Sequence, residues 1–152
     1  FLYMALEAVD PDAHREAAEV ANSYRRSEGS DNPEEGVRLW FETWGGPGSW
    51  LALPEPARAR MLTPGALREG VQIWDLLEES GLEFAQGSAV SVPTLVIHGE
   101  RTVPFQKRIN ELVAGSIPGA RQASVARAGH FSPLSHASTV AGFIREFWAA
   151  AA

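Results

Sequence analysis

The feature that most constrains this chain is an apolar run at residues 92–99, with the sequence VPTLVIHG. A short, β-branched and continuously apolar segment that ends at glycine is typical of a strand buried on both faces of a parallel sheet. The pattern after it predicts a helix over about 104–116, a second strand over 120–125 and a final helix that Ser135 caps. Strand, helix, strand and helix in this order form a βαβ unit with one further covering helix. The predicted fold class is therefore α/β, with a β-α-β-α segment at 91–152.

Two parallel strands make a sheet that is too small to be stable alone, because such strands need neighbours on their edges and both faces. We therefore expect further strands from outside this sequence, either before Phe1 in the same gene product or from another chain. Phe1 is not an initiator residue, and the chain opens in the middle of a pattern. The sequence is thus expected to be the later part of a longer protein.

The first ninety residues predict a helical region. Asp10 and Asn32 each precede a proline, an arrangement that is typical of a helix cap followed by the first helical position. The glycines and proline of 45–48 end the second of these helices, and further helices are predicted from Pro54 and Pro64. Residues 1–90 are therefore predicted as one helical region, followed by the strand-containing region at 91–152.

Composition and charge exclude several classes of function. The chain has 152 residues, a formal net charge of -6 and no cysteine. An acidic chain without a basic patch has no electrostatic footprint for nucleic acid or for an anionic membrane. The lack of cysteine excludes disulfides and thiolate chemistry, and we find no metal-ligand spacing, P-loop or dinucleotide fingerprint. No cofactor, metal, nucleic acid or membrane partner is predicted, and the cytoplasm is the default compartment.

The clearest candidate for chemistry is His130, five residues beyond the predicted second strand. A histidine at this position can lie at the carboxyl edge of a parallel sheet, where open α/β folds place their sites. Gly129, just before it, permits the backbone conformation that aims the ring. Taken alone, a loop histidine is also compatible with a solvated or structural role.

Three segments in order resemble the closing third of the α/β-hydrolase superfamily. They are the strand and turn at 92–100, the Ile-Pro-Gly-Ala turn at 117–120, and Ala-Gly-His at 128–130. Residues 44–50 and the surrounding helices are similar to the cap that some members insert before this strand. The resemblance implies the C-terminal part of an α/β-hydrolase fold, with a helical cap or lid at 1–90 and the β-α-β-α part of the core at 91–152. It also implies that His130 is the base of a Ser-His-acid triad.

The other two members of a triad are not evident in this chain. The superfamily places its serine in a Gly-x-Ser-x-Gly turn upstream of the acid and the histidine, and no segment here qualifies. Many members place an aspartate three residues after the glycine that ends the strand, where this chain has Thr102. Glu100 is a candidate acid one residue after that glycine. The alternative is an acid that follows the preceding strand, upstream of Phe1.

The resemblance implies a serine hydrolase that acts on a small or medium apolar, ester-like molecule, with the nucleophile outside this chain. Trp44, Trp50 and Phe131 are the candidate substrate contacts, because pockets favour aromatic side chains. Core packing is the alternative for the tryptophans. The expected partners are a small-molecule substrate and the missing N-terminal half of the core. A non-catalytic ligand-binding or regulatory protein on the same fold is the alternative function.

Overall fold

The computed structural model describes residues 2–79 and 81–151. This part of the chain is mostly helical and contains two parallel strands, so the fold belongs to the mixed α/β class. It divides into two compact units, a helical one at Tyr3–Gly81 and a strand-containing one at 82–151. The sequence predicts the change at residue 90, but the structure places it earlier because the segment Phe84–Ala89 packs against a helix of the second unit. Phe1, Ser80 and Ala152 of the predicted regions lie outside the described residues.

In the described residues, the helical unit begins with a short 3-10 helix at Met4–Leu6 and continues with five α-helices. These are α1 (Pro11–Ser27), α2 (Pro33–Gly45), α3 (Ser49–Ala52), α4 (Glu55–Met61) and α5 (Pro64–Glu78). The predicted cap at Asp10 is confirmed, since its side chain accepts a hydrogen bond of 3.1 Å from the backbone of Ala13. Asn32 is the N-cap residue of α2, as predicted, although its side chain makes no capping hydrogen bond.

Close packing of α1 against its neighbours forms the core of the helical unit. Gly36 of α2 leaves no room for a side chain, because the backbone carbonyl of Ser23 and the hydroxyl of Ser27 lie against it. Gly70 of α5 is similarly close to the ring of Tyr24. The two glycines therefore let α2 and α5 approach α1 closely, which side chains at these positions would prevent. The largest fully buried side chains in this unit are Trp50, Tyr3, Leu6 and Val37.

The strand-containing unit follows the predicted order of elements. After the 3-10 helix at Phe84–Ala89 come β1 (Leu95–Gly99), α6 (Pro104–Ser116), β2 (Arg121–Val125), α7 (Ser132–Ser135) and α8 (Ala137–Ala151). The strands are parallel, with Leu95 opposite Arg121 and Gly99 opposite Val125. Ser135 does not cap the last helix as predicted. It ends the separate short helix α7, and its hydroxyl donates to the carbonyl of Phe131 at 3.2 Å.

The apolar core of this unit lies between the sheet and α8. Val125, Ala128 and Val140 are buried there, and Ile97, Phe143 and Ile144 pack against them. The prediction that β1 is buried on both faces is wrong for this chain, because all its residues except Gly99 are half-buried. The physical reason is that the described residues contain a sheet of two strands, so one edge of β1 has no neighbouring strand. Phe105 and Ile109 of α6 are also buried.

Candidate active site

The candidate site lies where the two strands end. Because β1 and β2 are parallel, their carboxyl ends meet at the same edge of the sheet. A turn follows β1, with the backbone N–H of Thr102 donating to the carbonyl of Gly99 at 3.1 Å. A second turn follows β2, with the N–H of Ala128 donating to the carbonyl of Val125 at 3.3 Å. His130 lies two residues after Ala128, where this second turn closes.

Hydrogen bonds join these two turns to each other. The backbone N–H of Glu100 donates to the carbonyl of Val125 at 3.0 Å, and that of Arg101 donates to the carbonyl of Ala128 at 2.8 Å. The Glu100 carboxylate also accepts a hydrogen bond from the backbone N–H of Arg127, with 2.7 Å between Oε2 and N. The chain that leads to His130 is thus fixed to the end of β1 by main-chain and side-chain bonds.

Gly99 lies in direct contact with the second turn. A side chain at this position would collide with the carbonyl groups of Ala128 and Gly129. Gly99 is itself buried, as is Ala128. The glycine that ends the apolar strand therefore has a packing role, since its lack of a Cβ lets the segment before His130 lie against the strand end.

The His130 imidazole is half-buried beside an aromatic ring. Phe131 meets it edge-on, with 5.5 Å between the ring centroids and 75° between the ring planes. Burial lowers the pKa of His130 below its ordinary value of 6.5, because the protonated ring loses solvation. Burial thus favours the neutral form of the ring, and a neutral imidazole has a nitrogen that can accept a proton.

Glu100 and Thr102, the two positions considered for the triad acid, have different surroundings. Glu100 is exposed, and its carboxylate holds the turn at Arg127. Thr102 is buried at 5% exposure, and its hydroxyl has no hydrogen-bond partner among the described residues. The Nδ1 atom of His98 is also buried and has no hydrogen-bond partner among the described residues. Two buried polar atoms without partners therefore belong to residues at the end of β1.

The tryptophans considered as substrate contacts lie in the core of the helical unit. Trp44 is 4% exposed and Trp50 is 0% exposed. The Trp50 indole N–H donates to Oε1 of Glu34 at 2.8 Å, and its ring meets Phe41 edge-on. Both side chains thus contribute to packing in this structure, which is the alternative that the sequence left open. Phe131, the third candidate, is 37% exposed and lies next to His130.

Sequence reasoning missed the link between Glu100 and Arg127. Arg127 has a φ of 60°, in the left-handed region that glycine, asparagine and aspartate favour. An arginine gives no sequence signal for this conformation. A hydrogen bond from a carboxylate to a backbone N–H 27 residues away also leaves no periodic pattern, so only the structure could identify it.

An apolar groove of about 430 Å³ lies along β1 and α8 within the strand-containing unit. Its apolar lining consists mainly of Leu95, Ile97, Val140, Ile144, Phe147 and Trp148. Of these lining residues, Trp148 is 68% exposed. The groove is therefore a hydrophobic surface on the face of the sheet that α8 partly covers.

Neither metal binding nor membrane insertion is indicated by the described residues. No three or more His, Asp or Glu side chains in 2–79 and 81–151 are grouped so that they could hold a metal ion. In the same ranges, every helix is too short or too polar to cross a bilayer. No protein-family model matches the chain, and a search of curated proteins finds no match.

Proposed function

We propose that this chain is the C-terminal part of an α/β-hydrolase and that His130 is the base of its Ser-His-acid triad. The observation that carries the proposal is a half-buried histidine with a lowered pKa, two residues after a turn that is hydrogen-bonded to the end of the neighbouring parallel strand. A base at this edge can serve a nucleophile that follows another strand of the same sheet. The serine lies outside this chain in the proposal.

The proposed reaction is ester hydrolysis in two steps. The serine hydroxyl attacks the ester carbonyl while His130 takes its proton, and His130 then gives that proton to the departing alcohol. Water next attacks the acyl-enzyme and loses a proton to His130, and that proton passes to the serine oxygen as the carboxylic acid leaves. His130 is regenerated in its neutral form, which is the form that burial favours.

The open edge of β1 supports the existence of further strands. The carbonyl of Thr94 and the N–H of Glu100 are both bonded to the β2 segment. Since bonding residues alternate along a parallel strand, the backbone groups of Leu95 and Ile97 point to the opposite edge. A parallel strand from the missing N-terminal half of the core would pair with these groups, and its side chains would cover the apolar groove beside α8.

The proposed substrate is a small or medium apolar ester. Phe131 supports this class because it presents a partly exposed aromatic ring next to the proposed base. The triad acid has two candidates, Glu100 and a carboxylate from outside the chain. The hydrogen bond from Arg127 to Glu100 and the exposure of that side chain favour the outside carboxylate.

The test is the activity of the longest natural polypeptide that contains this chain. We expect it to hydrolyse p-nitrophenyl butyrate and to be labelled by a fluorophosphonate probe. His130→Ala should lower kcat by about 10⁴-fold or more, because the serine loses its base. His136→Ala is the matched control, since this nearby half-buried ring contacts Ser135 and should leave kcat within about threefold. An unchanged rate in the His130→Ala variant would contradict the proposal.

The pH dependence of His130 gives a second test, which does not require a measurement of catalysis. Burial lowers the pKa of His130, so an NMR titration of its ring should have a midpoint below 6.5. The unfolded chain then binds the proton more readily than the folded one, and the free energy of unfolding should fall as the pH drops below 6.5. This loss should level off once the pH is below the folded pKa. A midpoint at or above 6.5 would mean that burial does not dominate at this ring.

A second candidate function is a non-catalytic protein that binds a small ligand on the same fold. Thr102 favours it, because this position holds a buried neutral side chain where many members of the superfamily have the triad aspartate. Such a protein would not react with the fluorophosphonate probe. His130→Ala would then change ligand affinity at most, and no ester hydrolysis would be lost.

A further inference from the structure

We propose that Glu100 is a positioning residue for His130 and acts through the backbone of Arg127. This proposal rests on the role of His130 given above and assigns a different role to the carboxylate that the sequence suggested as the triad acid. The juxtaposition that carries it is the hydrogen bond from the Arg127 N–H to the Glu100 carboxylate, three residues before His130.

Arg127 is strained in a way that requires an anchor. Its φ of 60° makes it the one non-glycine residue with positive φ in the part of the chain that the structure describes. A side chain with a Cβ adopts this conformation against a steric penalty and keeps it where the surroundings determine it. The 2.7 Å hydrogen bond to a carboxylate is short and charge-assisted, and such bonds are among the stronger ones in proteins.

The turn at Arg127 determines the position of the backbone that leads to His130. On its two sides, Val125 accepts a hydrogen bond from the N–H of Glu100, and Ala128 accepts one from the N–H of Arg101. Arg127 lies between these two fixed points, and its left-handed conformation brings Ala128 and Gly129 against the strand end at Gly99. Without the carboxylate, the middle of this turn loses its side-chain anchor, and the ring that follows has more freedom.

A positioning role and an acid role make opposite demands on Glu100. A triad acid acts through its negative charge on the imidazolium, and the corresponding amide lowers kcat by about 10⁴-fold. An anchor for a backbone N–H needs an acceptor oxygen, which the amide of glutamine also offers. Glu100→Gln therefore separates the two roles, while Glu100→Ala removes both.

The first readout is independent of catalysis. In the longest natural polypeptide that contains the chain, amide hydrogen exchange at Arg127 should be at least about tenfold faster in Glu100→Ala, because the acceptor of its hydrogen bond is gone. Glu100→Gln should change this rate by less than about threefold. Glu111→Ala is the control, since this exposed carboxylate pairs with Arg108 on α6 and should leave the Arg127 amide unchanged. An unchanged Arg127 amide in Glu100→Ala would overturn the proposal.

The second readout is the kcat of the longest natural polypeptide that contains the chain. Glu100→Ala should lower kcat by about tenfold to a hundredfold, since a small displacement of a catalytic group has effects of this size. Glu100→Gln should stay within about threefold, and adding Arg127→Gly to Glu100→Ala should restore part of the rate, because glycine adopts positive φ without penalty. A loss of about 10⁴-fold in Glu100→Gln would overturn the proposal and make Glu100 the acid.

These outcomes are distinguishable from a failure of the proposed function. If the His130→Ala variant keeps its activity, or no hydrolysis is found, the role of His130 is wrong. The exchange rate of the Arg127 amide still reports whether Glu100 holds the turn. If His130→Ala is inactive but Glu100→Ala leaves the exchange rate of the Arg127 amide unchanged, the proposed function is supported and the positioning role of Glu100 is wrong.

Discussion

At the end of β1, Thr102 buries a hydroxyl that has no hydrogen-bond partner within the described residues. Such an atom lowers stability by about 1–3 kcal/mol relative to a paired one. Valine has nearly the same shape and no polar atom, so Thr102→Val in this chain should leave the free energy of unfolding unchanged or raise it by about 1 kcal/mol. Urea unfolding followed by circular dichroism measures this.

Thr102→Ser is the matched control for that substitution. It keeps the hydroxyl and removes a buried methyl group, so it should lower the free energy of unfolding by about 1 kcal/mol. If Thr102→Val instead lowers it by more than that, the hydroxyl has a partner in solution.

How much of the site the sequence predicts depends on whether a residue acts through topology or through a specific contact. The position of His130 follows from two parallel strands and the short connection after the second, so the pattern alone predicts it. The hydrogen-bond partner of Glu100 cannot be predicted from the strand pattern, because it depends on the conformation of Arg127. The burial of Trp50 is likewise invisible in sequence, since an aromatic residue suits a core and a pocket equally well.

Among the elements, the approach of α2 to α1 depends on Gly36. A Cβ at this position would meet the backbone carbonyl of Ser23, which cannot move without displacing α1. Gly36→Ala should therefore lower the free energy of unfolding of the helical unit by about 1–3 kcal/mol despite the higher helix propensity of alanine. Thermal unfolding of the chain measures this effect.

The control for Gly36 is Gly65, in the first turn of α5. A Cβ there meets no atom within 4 Å. Gly65→Ala should therefore be neutral or raise the free energy of unfolding by about 0.5–1 kcal/mol, because alanine loses less conformational entropy in a helix. Equal effects of the two substitutions would mean that the α1–α2 approach is looser in solution than in the structure.

The elements that the sequence predicts well are those with long periodic patterns and proline at their start. Helices α1, α2 and α5 each begin at such a proline, at Pro11, Pro33 and Pro64. Helices α3 and α7 have four residues each and were not predicted. A single turn has no apolar period to detect, and its formation depends on tertiary packing.

For the whole molecule, the alternation of strand and helix predicts the mixed α/β class, but it does not predict how much of β1 is covered. In the described sheet β1 has one neighbouring strand, and its Leu95 and Ile97 are half-buried. An edge with unpaired backbone groups beside an apolar groove is a site for pairing with another chain. We therefore expect the chain alone to self-associate through this surface with a Kd of tens of micromolar. This Kd corresponds to a standard free energy of association of about -6 kcal/mol.

Trp148 and Leu76 allow that expectation to be tested with matched substitutions. They are 68% and 69% exposed, and Trp148 lines the groove whereas Leu76 lies on α5 of the helical unit. Trp148→Glu should weaken self-association by about tenfold or more, because it places a charge where apolar surface is buried on contact. Leu76→Glu adds the same charge and should leave the association constant nearly unchanged. Sedimentation velocity over a concentration series measures the association constants of both variants. Equal effects of the two substitutions would mean that general charge repulsion, rather than the groove and the open edge, governs association.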